Sequence, residues 1–257
     1  MNFSDNDAHS LSPSDVHGRG ATSSDILIIG ADRGLGLGLT QTFLNRGWRV
    51  FATALPDAGL DALNSLAAGH PGKLTLGEID VTRPQHIQPL LSHIEKRRFD
   101  VIFLVAGIYG PLHQSVMQAT DAEFLQVMIT NAFGPARLAR HLVPTLKPKG
   151  AMAFMSSHRG SIEKNVEPGL GLELYRASKA ALNMLARGIY ADIREQGYSV
   201  LSIHPGWVAT AMGTLDGAVE AEIDVNTSVN GMAEVIDRYR HSGQHHYLDY
   251  LGNRWPW

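Results

Sequence analysis

Cysteine is missing from all 257 residues, which excludes disulfides, thiolate metal sites and cysteine nucleophiles together. A chain without cysteine suits a reducing compartment, and residues 1–25 show neither the basic start nor the apolar stretch of an export signal. A cytoplasmic location is therefore expected. Nowhere do ~18 apolar residues run together, so no membrane-spanning helix is expected. Charge is sparse too. Only 18 % of residues are charged and the formal net is -3, so nothing global draws the chain to nucleic acid or an anionic membrane. The basic run Lys96-Arg97-Arg98 suits a solvated helix end.

Several catalytic signatures are missing as well. The 12 histidines contain no His-Glu-x-x-His pair, and adjacent His245 and His246 would face opposite ways on a strand, so no metal site is expected. No Gly-x-Ser-x-Gly elbow is present, which argues against a serine hydrolase. No Lys-Ser/Thr follows the glycines near residue 30, which excludes a nucleotide-triphosphate P-loop.

What the chain does have is apolar content, 44 % of its residues. Residues 1–25 are rich in Ser, Asp, His and Gly and predict a mobile polar tail, because so few apolar groups cannot offset the entropy of ordering them. From residue 26 to 257 short apolar runs alternate with longer helical stretches. Strands are expected at 26–29, 48–52, 74–79, 101–105, 151–155, 198–203 and 246–248. Helices are expected at 38–45, 57–67, 84–96, 121–146, 175–196 and 228–240. Several strand runs are apolar without alternation, as in parallel strands covered on both faces. The repeated alternation predicts right-handed crossovers and one doubly wound Rossmann-type α/β domain, with a mostly parallel seven-stranded sheet flanked by helices.

Two local motifs carry chemistry. Gly30-Ala31-Asp32-Arg33-Gly34-Leu35-Gly36 follows the first strand and opens the first helix. Glycines there permit a tight turn and close backbone approach to a pyrophosphate, whose charge meets the helix N-terminus. A glycine-rich turn without a ligand is the bland alternative. Tyr175-Arg176-Ala177-Ser178-Lys179 places a phenol and an amine on one helix face. A free tyrosine has a pKa of ~10. A neighbouring ammonium would pull it towards neutrality, where acid–base catalysis is most efficient. The bland alternative is a solvated surface pair.

Taken with Asp80-Val81, Ala106-Gly107-Ile108-Tyr109-Gly110-Pro111, Asn131-Ala132-Phe133-Gly134-Pro135, Ser156-Ser157-His158-Arg159-Gly160-Ser161 and His204-Pro205-Gly206-Trp207-Val208-Ala209-Thr210, these motifs resemble the short-chain dehydrogenase/reductase family in content and order. Within it the chain is similar to the carbonyl-reductase branch of Sniffer-like and C-factor-like proteins. The resemblance spans residues 26–257.

It implies an oxidoreductase that moves hydride between a nicotinamide dinucleotide and a small carbonyl or alcohol. By that resemblance Tyr175 is the general acid or base, and Lys179 lowers its pKa and holds the nicotinamide ribose. Ser157 steadies the substrate oxygen, with Ser156 as its rival for that role, and Asn131 holds a water for proton resupply. The substrate would meet Ser157, Tyr175, His158 and Trp207. The cofactor would meet Gly30, Asp32, Arg33, Gly34, Leu35, Gly36, Asp80, Val81, Ala106, Gly107, Tyr175, Lys179, Pro205, Gly206, Val208 and Thr210. Residues 162–171, an insertion relative to the usual Ser–Tyr spacing, read as a loop beside the substrate mouth. By the same resemblance, helices 121–146 and 175–196 would form subunit interfaces of a homodimer or homotetramer.

Two departures stand out. Leu104-Val105 replaces asparagines that often tie the central strands together. After the second strand, Ala54 and Leu55 stand where a carboxylate would select NAD or an arginine NADP. Arg33 can meet a 2′-phosphate and no acid at position 54 opposes it, so NADP(H) is preferred and NAD(H) admitted. Asp57 is expected to cap the following helix. An NAD-dependent alcohol dehydrogenase, or a non-catalytic cofactor-sensing or scaffold protein, are the other readings.

Overall fold

The computed structural model describes residues 23–167, 169 and 171–257. The expected tail over 1–25 lies outside these residues up to 22, and Asp25 already belongs to the first strand.

Ile26, Leu27, Ile28 and Ile29 are all fully buried, which a strand achieves only with packed layers on both faces. They form β1 (Asp25–Ile29), followed by α1 (Gly34–Asn45), β2 (Arg49–Ala54), α2 (Asp61–Gly69), β3 (Leu74–Glu78), α3 (Ile87–Ile94) and β4 (Phe99–Leu104). The second half runs α4 (Asp121–Met128), α5 (Gly134–Leu142), β5 (Leu146–Met155), α6 (Glu173–Ile193), β6 (Ser199–His204), α7 (Val225–Tyr239) and β7 (His245–Asp249). The seven strands form one sheet in the order β3-β2-β1-β4-β5-β6-β7, and every pairing is parallel. Alternate residues of each strand feed opposite layers. Leu27, Ile29, Ile102 and Phe154 pack with Leu90 of α3, Leu138 of α5 and Leu182 of α6. Ile26, Ile28, Phe103 and Leu201 pack with Leu39 of α1 and Met232 of α7. Each such aromatic or branched side chain contributes ~1.5–3 kcal/mol on burial. Strand order reverses between β1 and β4, so their carboxyl ends open the crevice where ligands of such sheets bind.

The expected helix over 121–146 differs from the structure in its interior and its end. Pro135 has no N–H to continue an α-helical ladder. The chain widens into a π turn over Ile129–Phe133, in which the Gly134 N–H bonds the Ile129 carbonyl. Only glycine fits at 134, since a Cβ there would lie 2.4 Å from the Val81 carbonyl oxygen. The helix stops at Leu142 and Leu146 opens β5 instead. Asp57 does not cap a helix either. α2 begins at Asp61 with Leu60 at its N-cap position and no side-chain cap, because Asp57 lies inside a turn closed by the Ala58 N–H on the Leu55 carbonyl at 3.0 Å.

Strand β7 lies at one edge of the sheet, and the chain returns along it. Leu248 bridges Arg254 in antiparallel fashion, and the Trp255 N–H bonds the Tyr247 carbonyl at 2.9 Å. Among the described residues no helix is long and apolar enough to cross a membrane.

Candidate active site

The residues singled out in the sequence converge at the carboxyl ends of β1, β4, β5 and β6. Gly30 follows β1 with φ 88°, and a Cβ on it would lie 2.9 Å from Ala106 Cα. A Cβ on Gly36 would meet the Gly30 carbonyl oxygen at 1.9 Å, so the turn closes only with glycine at 36. Helix α1 starts here with no side-chain cap and no acid in its first turn, leaving its first N–H groups for an anion. A Cβ on Gly34 would lie 3.7 Å from Thr210 Cγ2, so the segment after β6 flanks the same turn. That segment is held by Ser228 Oγ, which donates to the Pro205 carbonyl at 2.6 Å, and by a bridge from Val208 to Ile223. Gly206 takes φ 87°.

Beside the turn lies a cleft of about 620 Å³ whose lining includes Asp32, Arg33, Leu55, Asp57, Asp80 and Arg83. Asp80 accepts from Thr82 N at 2.9 Å and Thr82 Oγ1 at 2.6 Å, and from Arg83 Nε at 3.2 Å. Burial pushes its carboxyl up, yet these donors hold it below the usual carboxylate range. Arg83 was not singled out in the sequence; only its contact with Asp80 across three residues hints at it. Val81 is 6 % exposed, its side chain packs in the core, and its carbonyl accepts from Arg137 Nη2 at 3.2 Å.

Gly107 connects the cleft to the acid–base groups. A Cβ on it would lie 3.2 Å from Asn131 Oδ1 and 3.5 Å from Lys179 Nζ. Asn131, in the π turn, is fully buried. Its Oδ1 accepts the Ile108 N–H at 2.8 Å, while its Nδ2 donates to the Ile108 carbonyl at 2.8 Å and Ser178 Oγ at 3.0 Å. This clamp steadies the segment after β4, where Leu104-Val105 stands in place of asparagines; Val105 N and Ala106 N both bond the Ile29 carbonyl.

Lys179 Nζ donates to the Met155 carbonyl at 2.9 Å and lies 5.5 Å from the Tyr175 ring centroid. Burial pushes the Lys179 ammonium down to about 8. Burial pushes the Tyr175 phenol up to about 12, against the Ser157 hydroxyl, which pulls it down. The expected lowering of Tyr175 by Lys179 is therefore not what this structure displays: the ammonium sits over the ring rather than at the phenol oxygen, and desolvation dominates. Ser156 Oγ is committed to Asn183 Oδ1 at 2.7 Å, whereas Ser157 Oγ accepts only the Arg159 N–H at 3.2 Å among the described residues and acts on Tyr175.

Three neighbours escaped the sequence reading. Tyr109 stacks on Tyr175 with ring centroids 5.9 Å apart. Gln114, 2 % exposed, accepts the Tyr175 N–H and donates to the Tyr109 and Pro111 carbonyls. His204 pairs with His158, Nε2 to Nδ1, at 2.8 Å, and Trp255 packs on both rings. Tyr109 and His204 lay inside quoted motifs without a role assigned to them; Gln114 announces itself only through long-range contacts. Trp207 is 42 % exposed and its Nε1 donates to the Gly213 carbonyl at 2.7 Å. His245 and His246 do face opposite ways, one against Trp257 and the other against Tyr239. No cluster able to hold a metal occurs among the described residues.

A family model described as "Enoyl-(Acyl carrier protein) reductase" matches residues 30–236. The C-signal protein of Myxococcus xanthus is 37 % identical over 163 residues, 62 % of this chain and 92 % of that protein. A carbonyl reductase from Pseudomonas aeruginosa PAO1, solved in complex with NADP, superposes with a TM-score of 0.83 at 35 % identity, covering 92 % of this chain and 100 % of that one. The carbonyl reductase Sniffer of D. melanogaster superposes with a TM-score of 0.79 at 28 % identity, covering 91 % of this chain and 100 % of that one.

Proposed function

Because the chain belongs to the short-chain dehydrogenase/reductase family of NAD(P)-dependent oxidoreductases, we propose that it is an NADP(H)-preferring reductase of small carbonyl compounds, with Tyr175 as its proton donor. The observation that carries this is the convergence of Ser157, Tyr175, Lys179 and Asn131 beside a glycine turn and a cleft that suit a dinucleotide.

The fit to the dinucleotide rests on this chain's own residues. Gly30, Gly34, Leu35 and Gly36 bring the uncapped start of α1 to a pyrophosphate. Asp32, Asp80, Val81, Ala106 and Gly107 border the adenosine half. Arg33 and Arg83 line the cleft that a 2′-phosphate would enter, with apolar Leu55 where an acid would repel it. Pro205, Gly206, Val208 and Thr210 close the nicotinamide side, and Lys179 and Tyr175 hold the ribose. When bound, NADPH supplies the hydride.

The protein supplies the proton and the electrostatics. A phenol pushed up to about 12 by burial keeps its proton at neutral pH, as an acid for carbonyl reduction must. Tyr175 donates that proton to the substrate oxygen as charge develops there, and Ser157 Oγ donates a hydrogen bond to the same atom. Lys179, anchored on Met155, places its positive charge beside the phenolate left behind. Asn131 holds the water that returns the proton through Lys179. His158 and Trp207 border the carbonyl's substituents.

Exposed Phe124 and Leu125 on α4 and Met184 on α6 support a homodimer or homotetramer built on those helices. The decisive experiment on the chemistry is Tyr175→Phe assayed with NADPH and a panel of ketones and aldehydes. Turnover falls at least ~100-fold, the low end of the general-acid contribution, while NADPH fluorescence titration stays within about threefold of wild type. Retained turnover overturns the assignment.

A further inference from the structure

A second cavity, about 330 Å³, lies behind the loop that carries Ser157. Its lining includes His158, Arg159, Lys164, Glu167, Arg176 and Trp255. Counting these side chains with neutral histidine gives three cations against one carboxylate. Arg176 follows Tyr175 directly on α6 and is 6 % exposed, and its Nε has no hydrogen-bond partner among the described residues. A buried guanidinium with an idle donor is costly unless something pairs with it. The one anion in the cavity, Glu167, bridges both guanidinium groups, accepting from Arg176 Nη2 at 2.8 Å and from Arg159 Nη1. Half of the Glu167 side chain is nonetheless exposed, on the loop that is inserted before α6. The charges in the cavity act on His158 in opposite directions: beyond burial, Arg159 and Arg176 lower its pKa while Glu167 raises it.

We propose that this cavity is a seat for a small oxyanion, a carboxylate or a phosphate, in which Arg159 and Arg176 form the fork and Glu167 is a resident stand-in that an incoming anion displaces. A planar carboxylate matches the paired guanidinium donors, and an exposed loop residue is a cheaper group to displace than a buried one. Lys164 at the rim adds attraction without a fixed geometry. The seat adjoins Ser157 through His158 and Tyr175 through Arg176, yet shares none of the groups assigned to proton transfer. The inference goes beyond the oxidoreductase reading and does not need turnover.

The test is calorimetric titration of the full chain with succinate, and with neutral succinamide as control. Glu167→Gln, which empties the seat of its own charge, binds succinate about tenfold tighter than wild type and ignores succinamide. Adding Arg159→Gln to that variant loses at least tenfold; Arg159 is partly exposed, so a circular dichroism melt verifies that the fold survives. Inorganic phosphate follows the same order across the variants. Competition between succinate and a carbonyl substrate would identify the anion as the substrate's own tail, and inhibition indifferent to that substrate as a separate molecule. The proposal is overturned if Glu167→Gln binds succinate no better than wild type, or if binding survives in the double variant, which would locate the anion at the glycine turn.

Discussion

Gln114 accepts the backbone N–H of Tyr175 at 3.0 Å from 61 residues away in the chain. The donor lies in the first turn of α6, whose N-cap residue Leu172 offers no side-chain cap. A distant amide thus does the work that a neighbouring Ser or Asp usually does. The same side chain donates to the carbonyls of Tyr109 and Pro111 at 2.8 Å each, so it ties the wall of the substrate cleft to the helix that aims the phenol.

Replacing Gln114 by Ala strips partners from three partly buried backbone groups, where a fully buried loss would cost about 1–3 kcal/mol each. Urea unfolding should show stability lower by about 2–4 kcal/mol. Because Tyr175 loses its positional restraint, kcat should fall about tenfold or more while NADPH affinity is kept. Unchanged kcat in a stable variant would show that Tyr175 is positioned without it.

The ionisation of Lys179 sets the second expectation. Burial pushes its pKa down to about 8, so the ammonium is present below that pH and lost above it. Tyr175, pushed up to about 12, stays protonated across the same range. For carbonyl reduction, kcat/KM in the free enzyme should be level through neutral pH and decline above about 8. Lys179→Met should abolish the inflection along with most of the rate. A wild-type profile level to about pH 10 would exclude Lys179 as the controlling group.

Cofactor choice can be read from the cleft. Arg33 is exposed and lines the same cleft as Arg83. A charge-assisted contact to a 2′-phosphate is worth about 1.5–3 kcal/mol, so Arg33→Ala should weaken NADPH roughly 10–100-fold. NADH, lacking that phosphate, should change less than about threefold. Equal losses for the two cofactors would refute a role in selection, and fluorescence titration reads both.

Assembly offers a fourth expectation. Phe124 is 43 % exposed, Leu125 53 % and Met184 71 %, all on helices that pack against each other. Placing charge there, as Leu125→Glu with Met184→Glu, should convert an oligomer to a monomer in light scattering. A wild-type monomer would remove the basis for the proposal.

The sheet was legible because its signal is local. Ile26–Ile29 or the run 151–155 can be apolar throughout only if buried on both faces, and every strand expected from such runs is present. Helix boundaries were less legible where a distant group intervenes: the π turn at Asn131 depends on Gly134 meeting the Val81 carbonyl, which no local window contains. The ionisation of Tyr175 did not follow from Tyr-x3-Lys, since spacing fixes the shared face but not whether the amine points at the oxygen or over the ring. Gln114 was invisible for the same reason, its role being set by partners far away in sequence, and His204, although inside a quoted motif, gains its role only through its pairing with His158.

The antiparallel return of residues 254 and 255 along β7 has a consequence for how copies of this chain can meet. An open strand rim is a template on which another molecule can extend the sheet. Here the chain's own backbone consumes hydrogen-bonding positions on that rim, so growth by strand addition is blocked on that flank. The homo-oligomer proposed above would then have to be built on α4 and α6 and not by extending the sheet past β7.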